Sequence, residues 1–163
     1  MQTEIRKAGI DDISVIKKLA EITWPATYKN LISPQQVEYM MDLFYSLSSL
    51  EEQFTRHTFI IAYLDEEAVG FASYSPSPVD GIYRLHKLYV NRAIQGRGLG
   101  KALINFIIEE MKAAGVTALQ LNVKRDNPAK LFYEKLGFRV IREEDINIGG
   151  GFWLQDYTME YRN

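Results

Sequence analysis

The sequence contains no cysteine, which excludes disulfides, thiolate metal sites and a cysteine nucleophile together. Histidine is nearly as scarce. His57 and His86 are the two present, too few for an imidazole-rich metal centre. Long apolar runs are missing as well: stretches such as Phe106-Ile107-Ile108 fall far short of the roughly 20 residues a membrane span needs. The opening Met1-Gln2-Thr3-Glu4-Ile5-Arg6 lacks the apolar core of a secretory signal. Charge of one sign does not dominate either. Nineteen Lys and Arg against 21 Asp and Glu leave a formal net charge of −2, so the chain has no global field for nucleic acid. The expectation is a cytoplasmic globular protein with no nucleic-acid, membrane or metal partner.

What is present reads as one domain, residues 1–163, with 47% hydrophobic and 25% charged residues. A chain of this length buries roughly 70% of its unfolded surface without staples. Residues 2–8 read as a strand, and Asp11 and Asp12 offer N-cap chemistry to a helix with Ile13, Ile16, Leu19, Ala20 and Ile22 at helical spacing. Ser33-Pro34 predicts the start of a second helix carrying Val37, Met40, Met41 and Phe44 on one side, with a further turn or two through Leu50 and Phe54. Strands are predicted over 58–64 and 68–74, then a surface loop over 75–81. A strand over 82–90 leads into a helix from Gly100 to about Ala114, striped by Leu99, Leu103, Phe106, Ile107 and Met111 and closed by Gly115. A strand over 117–123, a helix over 128–136 and two late strands flanking Gly149-Gly150-Gly151 complete the chain. This order predicts α/β architecture with a mixed sheet, in which 82–123 forms a parallel crossover.

The most specific segment is Gln95-Gly96-Arg97-Gly98-Leu99-Gly100-Lys101, between a strand and a helix. Glycines there let backbone N–H groups converge on an anion, where the helix dipole also favours negative charge. A phosphate or pyrophosphate is the natural guest. A Walker loop would need Gly at 95 and Ser or Thr at 102, where the chain has Gln95 and Ala102. A dinucleotide fingerprint would need Gly at 101 or 103, and Lys101 and Leu103 stand there. The loop belongs to neither type.

Gln95, Gly98 and Gly100 follow Leu88-Tyr89-Val90 and precede Asn127-Pro128-Ala129-Lys130-Leu131-Phe132-Tyr133-Glu134-Lys135-Leu136-Gly137-Phe138. In this order the segments resemble the GNAT superfamily of acyl-CoA-dependent N-acyltransferases, strongly over residues 82–138. The resemblance implies an α/β fold with a central mixed, twisted sheet of about seven strands, helices on both faces and a splayed parallel strand pair. It also implies acetyl-CoA as cosubstrate, without a metal, wedged between strands 82–90 and 117–123. The pyrophosphate would lie on the backbone of Gln95, Gly96, Arg97, Gly98, Leu99, Gly100 and Lys101, with Arg97 and Lys101 adding charge. By the same resemblance the backbone of Leu88, Tyr89 and Val90 would run along the pantetheine arm like an added strand. The Leu88 N–H would donate to the thioester carbonyl, Asn127 would contact the cofactor, and Tyr133 would donate to the departing sulfur.

Many members carry a Glu where this chain has His86. His86 is therefore the candidate base, with an acidic limb expected near pH ~6.5. His57, near a helix end, is expected to be a cap or surface residue. The N-terminal helices commonly wall the acceptor pocket in this family, which points to Trp24, Tyr28, Tyr39 and Tyr45, with Asp42, Glu51 and Glu52 as charges that could attract an amine. The Gly149–Trp153 hairpin is a candidate opposite wall or a homodimer contact. The implied activity is acetyl transfer to a primary amine by direct attack in a ternary complex, the acceptor being a polyamine or another small amine. Its rivals are acetylation of protein N-termini or lysines, and a non-catalytic acyl-CoA-binding sensor, which would need the loop but not Tyr133.

Overall fold

The computed structural model describes residues 2–94 and 96–163. Seven strands form one sheet: β1 (Thr3–Lys7), β2 (Thr58–Leu64), β3 (Glu67–Pro76), β4 (Ile82–Val90), β5 (Ala118–Lys124), β6 (Arg139–Gly149) and β7 (Phe152–Arg162). Five helices accompany them: α1 (Ile13–Tyr28), α2 (Pro34–Tyr45), α3 (Leu47–Arg56), α4 (Leu99–Ala113) and α5 (Ala129–Lys135). Across the sheet the order is β1-β2-β3-β4-β5-β7-β6. Only β4 and β5 run parallel; the other neighbours are antiparallel. No helix among the described residues is long and apolar enough to cross a membrane.

The helix boundaries follow local chemistry. Ser33 caps α2 by accepting the Gln36 N–H at 3.1 Å, and Pro34 occupies the first turn, where no N–H partner is needed. Gly115, at φ +72°, ends α4, while the Val116 N–H returns to the Met111 carbonyl at 2.9 Å. Asp12 does not cap α1 with its side chain. Its carboxylate instead accepts the Gly9 N–H at 2.9 Å and closes a short 3-10 turn over Ile10–Asp12. Ile22 is 45% exposed, and the inward positions of that turn belong to Thr23 and Trp24. The expected loop at 75–81 is shorter than the sequence suggested, because Ser75 and Pro76 extend β3 by pairing with Arg84 and Tyr83.

Two apolar layers sandwich the sheet. On one face α4 presents Leu103, Ile107 and Met111 to Ile60, Ala72, Leu119 and Met159. On the other, Ile16, Trp24 and Leu50 from α1 and α3 cover Phe59, Ile61 and Phe71. Helices thus lie on both faces, and the regular sheet is interrupted at β4. There the register passes from Tyr74↔Leu85 to Ser73↔Lys87, leaving His86 as the extra residue of a β-bulge. The parallel pairing with β5 stops one residue earlier, at Leu85↔Leu121.

Candidate active site

Beyond Leu85 the two parallel strands diverge, and a cavity of 530 Å³ opens between them. Alternation in the β3–β4 ladder determines which backbone groups face it. The Asn91 N–H bonds the Val69 carbonyl at 2.8 Å, so that pair is a hydrogen-bonded one. Stepping back along the register, Tyr89 and Lys87 also bond toward β3, while Leu88 and Val90 direct their N–H and C=O toward the gap. Side chains sort by the same geometry. Leu88 and Val90 join the core under α4, whereas Tyr89 and Lys87 point to the α1–α2 side.

The far end of this cavity is the start of α4. Gly98, at φ +74°, is its cap and brings no side-chain partner. The first-turn N–H groups of Leu99, Gly100 and Lys101 precede the first helical bond, from Ala102 N–H to the Gly98 carbonyl at 2.9 Å. A Cβ added at Gly96 or Gly98 would meet nothing within 4 Å, so space for an anion lies over this backbone. Gly100 serves a different purpose. A Cβ there would stand 3.1 Å from the Phe132 ring, so its absence lets α4 and α5 close together. Gly96, Gly98, Leu99, Gly100 and Lys101 all line the cavity, and Arg92, which the sequence did not suggest, joins them. The Leu99 side chain is buried in the core, leaving its backbone to the cavity. Arg97 is exposed and does not line it. Gln95 lies outside the described residues.

Asn127 and Tyr133 face the cavity from the α5 side. Asn127 Oδ1 accepts the Ala129 N–H at 2.9 Å, holding the start of α5 and leaving its amide NH₂ for other partners. Tyr133 is buried between Phe132 and Phe138, with ring centroids at 5.2 and 5.6 Å. Burial pushes its hydroxyl well above the ordinary tyrosine range. It is therefore a neutral O–H donor at any working pH.

A second cavity, of 170 Å³, shares Tyr28, His86, Lys87, Tyr89 and Asn122 with the first. Trp24, Phe44, Tyr45, Met40 and Leu154 supply its apolar wall. Of the expected aromatic lining, Trp24, Tyr28 and Tyr45 are in place. Tyr39 instead holds the β6–β7 turn, donating to the Ile148 carbonyl at 2.9 Å and contacting Phe152. Asp42, Glu51 and Glu52 are exposed and line neither cavity. The carboxylate that does line the second cavity is Asp156, 6% exposed, which accepts from Asn122 Nδ2 at 3.3 Å. Desolvation raises its pKa. The sequence signal for Asp156 was an acid in phase with Leu154 and Thr158 on the inward side of a strand, a position where charge is unusual.

His86 stands at the junction of the cavities. Its Nε2 lies 2.7 Å from Ser75 Oγ, and its ring stacks on His57 with centroids 3.8 Å apart. His57 is the C-cap residue of α3, as its place in the sequence suggested, but it is also a partner of His86. Desolvation of the stacked ring and the neighbouring positive groups push His86 down to about 3, even though the residue keeps an exposed surface, and His57 falls to about 4. This differs from the expected limb near 6.5: a ring stacked on another imidazole, with Lys87, Arg84 and Arg56 nearby, resists taking a proton.

The comparisons with known proteins agree with this geometry. Residues 16–138 match the model of the acetyltransferase (GNAT) family, and the chain belongs to that family of acyl-CoA-dependent N-acetyltransferases. It is 28% identical over 147 residues to a spermidine N(1)-acetyltransferase of Thermoplasma acidophilum, covering 86% of this chain and 90% of that protein. Among solved structures it is similar to the PaiA N-acetyltransferase of Thermoplasma acidophilum in complex with coenzyme A, at TM-score 0.85 and 26% identity over the whole of both chains. The ribosomal-protein-S18-alanine N-acetyltransferase of Escherichia coli shares the fold at TM-score 0.74 and 20% identity, with 99% of this chain and 94% of that one covered.

The histidine pair makes pH dependence a direct readout. Both folded pKa values lie below the unfolded value of 6.5, so the unfolded chain binds more protons as pH falls through that range. Stability contributed by the neutral pair is full above about pH 6.5 and declines toward pH 4 and below. Ring-proton NMR should show neither histidine titrating between pH 7.5 and 5.5. His86→Gln should flatten the loss of urea midpoint over pH 6.5 to 4. A normal histidine titration near 6.5 would contradict the stacked, desolvated arrangement.

Proposed function

We propose that the protein transfers the acetyl group of acetyl-CoA to the primary amine of a small molecule, by direct attack in a ternary complex. One observation carries this reading: a small, largely aromatic cavity meets the strand gap where the Leu88 N–H is directed into it. A volume of 170 Å³ suits a short acyclic amine. Similarity to the spermidine enzyme makes a polyamine the first acceptor to try.

In this reading the backbone from Gly96 to Lys101, together with Gln95, receives the pyrophosphate, and Lys101 adds positive charge. Asn127 Nδ2 donates to the cofactor, and the backbone of Leu88, Tyr89 and Val90 borders the pantetheine arm. Leu88 N–H donates to the thioester oxygen as negative charge develops there, a contribution often worth ~3 kcal/mol. Tyr133 O–H donates to the sulfur as the C–S bond breaks. Its raised pKa makes full transfer to a thiolate strongly uphill, so hydrogen-bond donation is its contribution. His86, with Nε2 held by Ser75, offers its other ring nitrogen as a hydrogen-bonding group to the acceptor or a water. At a pKa of about 3 it is a poor proton acceptor.

Direct attack requires that no acetyl-enzyme form, and a CoA-thiol release assay over polyamines, amino acids, aminoglycosides and peptides tests the acceptor class. Turnover of small amines supports the reading; turnover confined to peptides overturns it. Gly98→Val should weaken acetyl-CoA binding at least tenfold by calorimetry while the fold survives, because the side chain forces the backbone away from positive φ and enters the space over the loop. Tyr133→Phe should lower kcat by ~10- to 1,000-fold with acetyl-CoA affinity nearly kept, since ring packing remains and only the donor is lost. Wild-type turnover in that variant would return Tyr133 to a packing role.

A further inference from the structure

Lys87 is a cation of the site that the reading so far does not employ. It follows the His86 bulge, opposite Ser73, and lines both cavities. Its Nζ lies 5.3 Å from the Tyr45 ring centroid and 5.8 Å from that of Phe44. Ring faces of this kind hold a cation in place but neutralise none of its charge. Among the described residues no carboxylate comes within ion-pair distance of it.

The remaining charges of the acceptor cavity do not compensate for it. Lys124, also in the lining, is already paired with Asp126 at 2.8 Å. Among the described residues Asp156 is the one acid in the lining, and it bonds Asn122. Arg84 and Arg56 add further positive charge close to His86. The aromatic pocket next to the reacting centre therefore presents an ammonium that lacks a counter-ion, and a carboxylate entering the cavity would pair with it in a charge-assisted hydrogen bond.

Taking the second cavity as the acceptor pocket, we propose that the preferred acceptor is an amine that also carries a carboxylate, and that Lys87 is the specificity-determining group that receives it. Lys87 precedes Leu88 and reaches both cavities, so the carboxylate lies close to the reacting nitrogen. The spacing of an α-amino acid fits this, with the Trp24, Phe44 and Tyr45 wall taking an apolar side chain. A bare polyamine would instead bring ammonium groups against Lys87. Desolvation has lowered the Lys87 pKa to about 8, and a bound carboxylate would raise it again.

The test uses the full chain at saturating acetyl-CoA with three matched acceptors: leucine, leucinamide, and isoamylamine, which lacks the carboxyl carbon. Each amine is assayed at a pH fixed relative to its own pKa, so that ionisation of the nucleophile does not imitate the effect. Spermidine is run beside them. Wild type should favour leucine over the other two by about 10- to 100-fold in kcat/KM, the range for one charge-assisted contact. Lys87→Met should collapse that preference to within about threefold, chiefly through a higher KM for leucine. Lys87→Arg, which still pairs with carboxylates, should retain most of the preference. Acetyl-CoA affinity by calorimetry confirms that both variants fold.

A wild-type preference for spermidine or isoamylamine over leucine, or an unchanged preference in Lys87→Met, would overturn the proposal while leaving small-amine acetylation intact. Equal loss of turnover for all acceptors in both variants would also overturn it, pointing to Lys87 as a proton acceptor. If no small amine turns over while a peptide does, the reading of the cavity itself fails.

Discussion

Everything in the site depends on the early end of one strand pairing. β4 and β5 share four register pairs, from Ile82↔Ala118 to Leu85↔Leu121, and then part. The ladder with β3 continues to Val90, so β4 stays in the sheet while the Leu88 amide is directed into the gap. A buried peptide edge needs a hydrogen-bonding partner, and the amide groups along a pantetheine arm provide one in the manner of an added strand. Binding of acetyl-CoA in this account completes the sheet. In the proposed reading the same strand edge aims the Leu88 N–H at the reacting carbonyl, so that one structural interruption serves both binding and catalysis.

The bulge at His86 divides the labour between the two faces. Before it, Tyr83 and Leu85 belong to the core under α4; after it, Leu88 and Val90 do. The extra residue permits this change of phase and leaves His86 and Lys87 together on the α1–α3 side. In the proposed reading cofactor and acceptor therefore approach from opposite faces of one strand and meet beside the bulge. Side-chain links hold the gap from the acceptor face. Arg84 donates to Asn122 Oδ1, and Asn122 in turn bonds Asp156, which ties β4, β5 and β7 together beside the opening.

Much of this was legible in the residues. The α4 stripe, the Ser33-Pro34 start, the Gly115 stop and the final hairpin follow local rules of periodicity and capping, and the structure bears them out. The glycine loop was visible because positive φ and an empty Cβ position leave a residue signature at 96 and 98. The bulge was not, because His86 is compatible with a regular strand and the extra residue is defined only by its partners on β3. Lys87 and Asp156 were missed for a related reason. Lys87 looks like an ordinary solvent-facing strand charge until α1 and α2 enclose it, and the inward phase of Asp156 on β7 does not say which cavity it lines. The His57–His86 stack joins residues 29 positions apart through the return of β2 and β3, which no local pattern reports. The carboxylates that seemed suited to an amine, Asp42, Glu51 and Glu52, face water because α2 turns Met40 and Tyr45 inward and α3 turns Leu50 and Gln53 inward.

Amide hydrogen exchange at Leu88, followed by NMR with and without acetyl-CoA, tests the open strand edge most directly. The Leu88 amide should exchange much faster than its neighbour Tyr89 in the free protein, because Tyr89 is bonded to β3 and Leu88 is directed away from it. Addition of acetyl-CoA should slow Leu88 by at least tenfold and leave Tyr89 nearly unchanged. A Leu88 amide already as protected as Tyr89 without ligand, or one indifferent to acetyl-CoA, would contradict it.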